Sequence, residues 1–92
     1  MRILTLNDGT IYEVDWCHAD KGIFNINLIT KESFIALASK FSDPECTSRI
    51  TVAFGEDHVT VHEGYTELKF INIDSWTTGT TLICLMQPDL VA

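Results

Sequence analysis

The stretch Arg2-Ile3-Leu4-Thr5-Leu6-Asn7-Asp8-Gly9-Thr10-Ile11-Tyr12-Glu13-Val14-Asp15-Trp16-Cys17 decides how the chain begins to fold. Asp8-Gly9 supplies residues that tolerate positive φ, as a tight hairpin turn needs, so strands are expected over Arg2–Leu6 and Thr10–Cys17. In the second strand Tyr12, Val14 and Trp16 alternate with Glu13 and Asp15. That period places the three apolar side chains, Trp16 included, on one buried face.

Downstream of this hairpin, His18-Ala19-Asp20-Lys21-Gly22 reads as a turn, and Ile23–Ile29 as a third strand with Phe24, Ile26 and Leu28 on one side. The three strands form an antiparallel meander. The period then changes. Phe34, Leu37, Ala38 and Phe41 follow helical spacing, which predicts an amphipathic helix over Thr30–Phe41, capped by Thr30, with Glu32 and Lys40 favourably placed in its dipole field. Ser42-Asp43-Pro44 ends it, because the residue before proline is pushed out of helical geometry. Residues 44–47 are expected to form a loop.

Ile50, Val52 and Phe54 alternate with polar or small residues, and after Gly55-Glu56-Asp57 a short strand runs from His58 to His62 with Val59 and Val61 expected inward. In the strand Tyr65–Asp74, Leu68 and Phe70 share one face while Ile71 and Ile73 share the other. Either a bulge re-aims this strand or both faces are covered. The last strand, Thr80–Met86, is apolar at consecutive positions, so it needs cover on two sides. Ile83 and Leu85 are expected to face a second copy or a partner, with Trp76 as an exposed anchor at the adjoining turn. The fold expected is a single α+β domain over residues 1–92, with a mainly antiparallel sheet or sandwich of about seven strands and one packed helix.

Composition narrows the function classes. Of 92 residues 46% are hydrophobic and 21% charged, within the range of globular domains. A net charge of -7 repels phosphate backbones and anionic lipid, so neither nucleic acid nor membrane is expected as a partner. The carboxylates fall mostly in turns, which suits a solubilising role better than mimicry of DNA. No stretch is long enough to span a bilayer and the N-terminus lacks a signal-peptide core, so the chain is expected in the cytoplasm. Cys17, Cys46 and Cys84 form no CxxC pair and are expected to be reduced thiols.

The chemical candidates are weak. Cys17 and His18 have the residue types of a nucleophile and its base, but strand neighbours project to opposite faces. His58 and His62 have metal-ligand spacing only on a helix; along a strand their side chains lie about 13 Å apart. They are expected instead as a solvent-side pair. The five glycines are dispersed among turns and build no phosphate loop. No catalytic residue, cofactor or metal site is expected, and the chain is not expected to be an enzyme.

Leu6-Asn7-Asp8-Gly9-Thr10-Ile11-Tyr12-Glu13-Val14, the helix followed by Phe41-Ser42-Asp43-Pro44-Glu45, Thr47 and Ile50, and then His62-Glu63-Gly64-Tyr65-Thr66 together resemble small prophage proteins of Gram-positive bacteria encoded near tail and baseplate genes. The resemblance covers about the first 66 residues, and its motifs are structural. It implies a phage structural or assembly module of the tail or baseplate, incorporated in a virion, and the apolar last strand adds the expectation that the chain binds itself, as a homo-oligomer, or a neighbouring tail protein. An acidic inhibitor of a host enzyme is the alternative reading of the same composition.

Overall fold

The computed structural model describes residues 2–74 and 80–88. Trp76 and the turn expected at Thr77-Thr78-Gly79 lie outside them. In chain order the elements are β1 (Arg2–Thr5), β2 (Ile11–Asp20), β3 (Ile23–Ile29), α1 (Phe34–Phe41), α2 (Pro44–Thr47), β4 (Arg49–Phe54), β5 (His58–Glu63), β6 (Glu67–Asp74) and β7 (Thr80–Met86). The strands form one antiparallel sheet in the order β5-β4-β1-β2-β3-β7-β6, an α+β fold rather than a two-sheet sandwich.

The sheet curls on itself. β3 and β5 are four strand positions apart, about 19 Å along a flat sheet, yet the Phe24 and His62 rings stack with centroids 4.3 Å apart. Tyr65 closes against the same ring at 5.3 Å. The concave face therefore encloses its own core, built from Leu4, Tyr12, Val14, Phe24, Ile26, Leu28, Ile50, Val52, Ile83 and Leu85. Leu37 and Phe41 of α1 join it, and Phe41 lies 5.5 Å from the Tyr12 ring.

Two bulges decide which side chains enter that core. Between Val14 and Trp16 the register with β3 shifts, so Cys17 and Ala19 continue the inner face and Trp16 turns outward, 41% exposed. The expectation that Trp16 is a core residue fails for this reason: an extra residue inverts the alternation beyond it. A second shift between Leu68 and Phe70 sends Leu68 and Ile71 inward and Phe70 outward. β2 also extends through His18–Asp20, and Lys21 and Gly22, both with positive φ, make the tight turn into β3.

The helix starts later than its periodicity suggests. Ser33, not Thr30, is the N-cap, its Oγ accepting from Ala36 N at 3.2 Å. Thr30 Oγ1 instead accepts from Glu32 N, and Glu32 accepts the Tyr12 hydroxyl at 3.2 Å. Phe34 precedes the first buried turn and stays 51% exposed. Residues 44–47 form a single helical turn rather than a loop, with Asp43 as cap and Pro44 at its first position.

Phe41 is fully buried between the helix and Tyr12. Replacing it with alanine is expected to cost about 3 to 5 kcal/mol, from lost transfer energy and the cavity left behind. Urea unfolding of the parent and Phe41→Ala chains measures this directly.

Candidate functional site

The C-terminal strand presents its two faces in the reverse of the expected sense. Ile83 and Leu85 are fully buried in the chain's own core, each in register with a core residue of β3, Ile26 and Phe24. They have no free surface to offer a partner. Consecutive apolar residues fix that both faces of a strand need cover, but not which face turns inward. Here Leu82, Cys84 and Met86 take the outer side; Leu82 and Met86 are partly exposed, while Cys84 is buried.

The outer face carries the feature that stands out. Ile11, Trp16, Ile29, Val59, Val61 and Phe70 all project from it, between 41% and 64% exposed. The ladders order them into rows. One row crosses five strands as Val59, Ala53, Ile3, Glu13 and Ile29. A neighbouring row runs Val61, Thr51, Thr5 and Ile11. Farther along, Trp16, Asn27, Leu82 and Asn72 align, and beside them His18, Asn25, Cys84 and Phe70. The first row continues through Thr80 to Asp74, so the four rows carry two carboxylates among the described residues, Glu13 and Asp74, in a chain of net charge -7. Single exposed apolar residues are ordinary, whereas several on one sheet face are less so. The expectation that Val59 and Val61 point inward is thus overturned: Thr60 and His62 take the inner side, in register with Val52 and Ile50.

A concavity of about 470 Å³ opens beside these rows, lined by Arg2, Glu13, Val14, Asp15, Ile29 and Phe54. The Arg2 guanidinium lies 5.2 Å from the centre of the Phe54 ring and donates to the Asp15 carbonyl, while Asn27 Nδ2 donates to Asp15 Oδ2 at 3.4 Å. These contacts hold the bulge that exposes Trp16. Their geometry fixes a surface and aligns no nucleophile with a base.

The polar side chains at the far end are tied up in holding the hairpin. Lys40 Nζ donates to Asp8 Oδ2 at 2.7 Å, the Cys46 thiol donates to the same oxygen at 3.4 Å, and Asn7 donates to the Cys46 and Glu45 carbonyls through its backbone and side chain. The Lys40 hydrogen bond holds Asp8 well below the usual carboxylate range. Burial, helped by the bond to Asp8, pushes the Cys46 thiol up to about 11, so it stays protonated and unreactive at neutral pH. This cluster clamps the turn to α2.

Neither sequence-level chemical pair is assembled. Cys17 packs against the core, where burial raises its pKa, and His18 is exposed on the opposite face. His58 and His62 are not a solvent-side pair. His62 is half-buried against Phe24 with Thr60 Oγ1 at 3.1 Å, while His58 is exposed with its ring edge-on to Phe54. Among the described residues, no three His, Cys, Asp or Glu side chains are placed to hold a metal ion, and no helix is long and apolar enough to cross a membrane. Comparison with family models, curated proteins and solved structures finds no match.

Burial lowers the pKa of His62, so folding favours its neutral form. Its contribution is complete above the unfolded-state value near 6.5 and is lost as pH falls through the lower folded value. The Asp8 contribution is lost only below the ordinary carboxylate value of 3.8, which is a separate window. Thermal midpoints measured between pH 7 and 5 are therefore expected to fall for the parent, and less steeply for His62→Gln.

Proposed function

We propose that the chain is a protein-contact module of a phage or prophage, a structural or assembly component of the tail or baseplate that works through the outer face of its sheet. The observation that carries this reading is the set of six exposed apolar side chains on a face whose opposite side is already filled by the domain's own core. Exposed Trp16 and Phe70 have the chemistry of interface anchors, large amphipathic or apolar groups that lose little rotamer entropy on binding. The resemblance of the first 66 residues to prophage proteins encoded near tail and baseplate genes supplies the class of partner. Acidic residues are few in the rows that hold the anchors, which supports contact through apolar burial over contact through charge.

Co-expression with the tail and baseplate proteins of the same prophage is expected to yield a complex with one of them. Trp16→Ala, at an exposed position outside the core, is expected to weaken that complex about tenfold or more, the effect of truncating an aromatic anchor. Co-purification and titration calorimetry measure both. Failure of every such protein to bind, or binding indifferent to Trp16 and Phe70 substitutions, defeats the reading.

A further inference from the structure

The two free edges of the sheet are built differently. β6 carries a bulge, places Lys69 and Glu67 along its length, and has α1 packed against it. Such devices blunt an edge against further pairing. β5 has fewer of them: its six residues pair with β4 in unbroken register, it contains no proline, glycine or lysine, and its one carboxylate, Glu63, stands at its end.

The hydrogen-bond phase of β5 follows from one contact. Gly64 N–H donates to the Ser48 carbonyl at 3.0 Å, so 48/64 is a hydrogen-bonded pair, and alternation makes 50/62, 52/60 and 54/58 hydrogen-bonded as well. The backbone groups of Val59, Val61 and Glu63 then point away from β4. The Gln87 side chain confirms the phase by donating to the Glu63 carbonyl at 3.0 Å. At Val59 and Val61, among the described residues, no strand takes these groups.

The sequence of this edge is a palindrome, His58-Val59-Thr60-Val61-His62. An antiparallel two-fold pairing centred on Thr60 sets Val59 opposite Val61 of the second copy and Val61 opposite its Val59, so outward backbone groups meet outward backbone groups. Thr60 then faces Thr60 in a non-hydrogen-bonded pair, an arrangement in which side chains approach closely and threonines pair well. The four valines share one outer face. A slip of two residues either way sets a valine against Glu63 or Asp57, which penalises the alternatives. The ladder stops at five residues per copy, because the next pair opposes Asp57 and Glu63.

The geometry points to β5 as the site where a second copy of this chain adds its own β5, giving a closed two-fold dimer with one continuous sheet. Closure follows from the asymmetry of the edges, since the blunted β6 offers no second site from which a filament could grow. This deepens the reading of the chain as a protein-contact module and rests on it.

Sedimentation of the full chain across a wide concentration range is expected to show reversible passage from 10.3 kDa to twice that mass. Val59→Lys and Val61→Lys, both at exposed positions, are expected to remain monomeric at concentrations where the parent dimerises. Amide exchange by NMR needs no variant: the Val59 and Val61 amides exchange freely in dilute parent and become protected as the dimer forms, whereas those of Thr60 and His62 are protected throughout. Thr60→Cys is expected to form a disulfide dimer on mild oxidation beyond any seen for the parent, since facing residues in such a pair lie about 4.5 Å apart. A parent that is monomeric at every concentration, a dimer that survives Val61→Lys with the same mass, or exchange at Val59 and Val61 that ignores concentration overturns the inference. Loss of tail-protein binding on Trp16→Ala in that event leaves the functional reading standing, and a β5 dimer with no effect of Trp16→Ala does the reverse.

Discussion

The contact of Phe24 with His62 is the constraint on which the architecture depends. Seven strands in a flat sheet would need a second layer across a whole face, and among the described residues two short helices are all that could provide one. Curling solves this, because residues of β3, β4 and β5 then cover one another and α1 closes the remainder through Leu37 and Phe41. The solution has a cost at His62. A half-buried imidazole forms part of the wall, and its proton affinity falls accordingly.

Much of this was legible in the sequence. The Asp8-Gly9 turn, the strand periods and the helical spacing at Leu37 and Phe41 each express a local geometry that side chains report directly. The single sheet and its curl were not, since alternation specifies a buried face without saying what buries it. The bulges at Asp15 and Lys69 are equally silent: the apolar alternation through Trp16 continues in the sequence after the backbone has slipped by one. The outer face was therefore misread at Trp16. Its one available signal was the Asp15-Trp16-Cys17-His18 run, in which both parities carry an apolar residue. The same ambiguity explains Ile83 and Leu85, whose strand offers two apolar faces and no residue to choose between them.

Asn7-Asp8-Gly9 does more than turn the chain. Asp8 accepts from Thr10 N to set the turn, then from Lys40 and Cys46 to hold it against α1 and α2, while Asn7 secures the α2 carbonyls. One loop thereby couples the first hairpin to the helical segment, so the turn and the helices form a single polar joint. The Cys46 thiol is spent in this joint as a weak donor between two carboxylates, Asp8 and Asp43, which explains its retention as a protonated group rather than a nucleophile.

The relation between charge and surface gives the outer face its meaning. At net charge -7, two copies or a copy and another acidic protein repel at distances up to a Debye length, about 8 Å in physiological salt. Apolar attraction acts only at contact, so any association must bring together patches where few carboxylates are opposed. The rows through Val59, Ala53 and Ile3 and through Val61, Thr51 and Thr5 meet that condition, and the turns that bear Asp8, Glu56 and Asp57 do not. Charge in the turns and apolar groups on the sheet thus act in opposite senses: the first disfavours approach in most orientations, and the second would favour only those in which the rows meet.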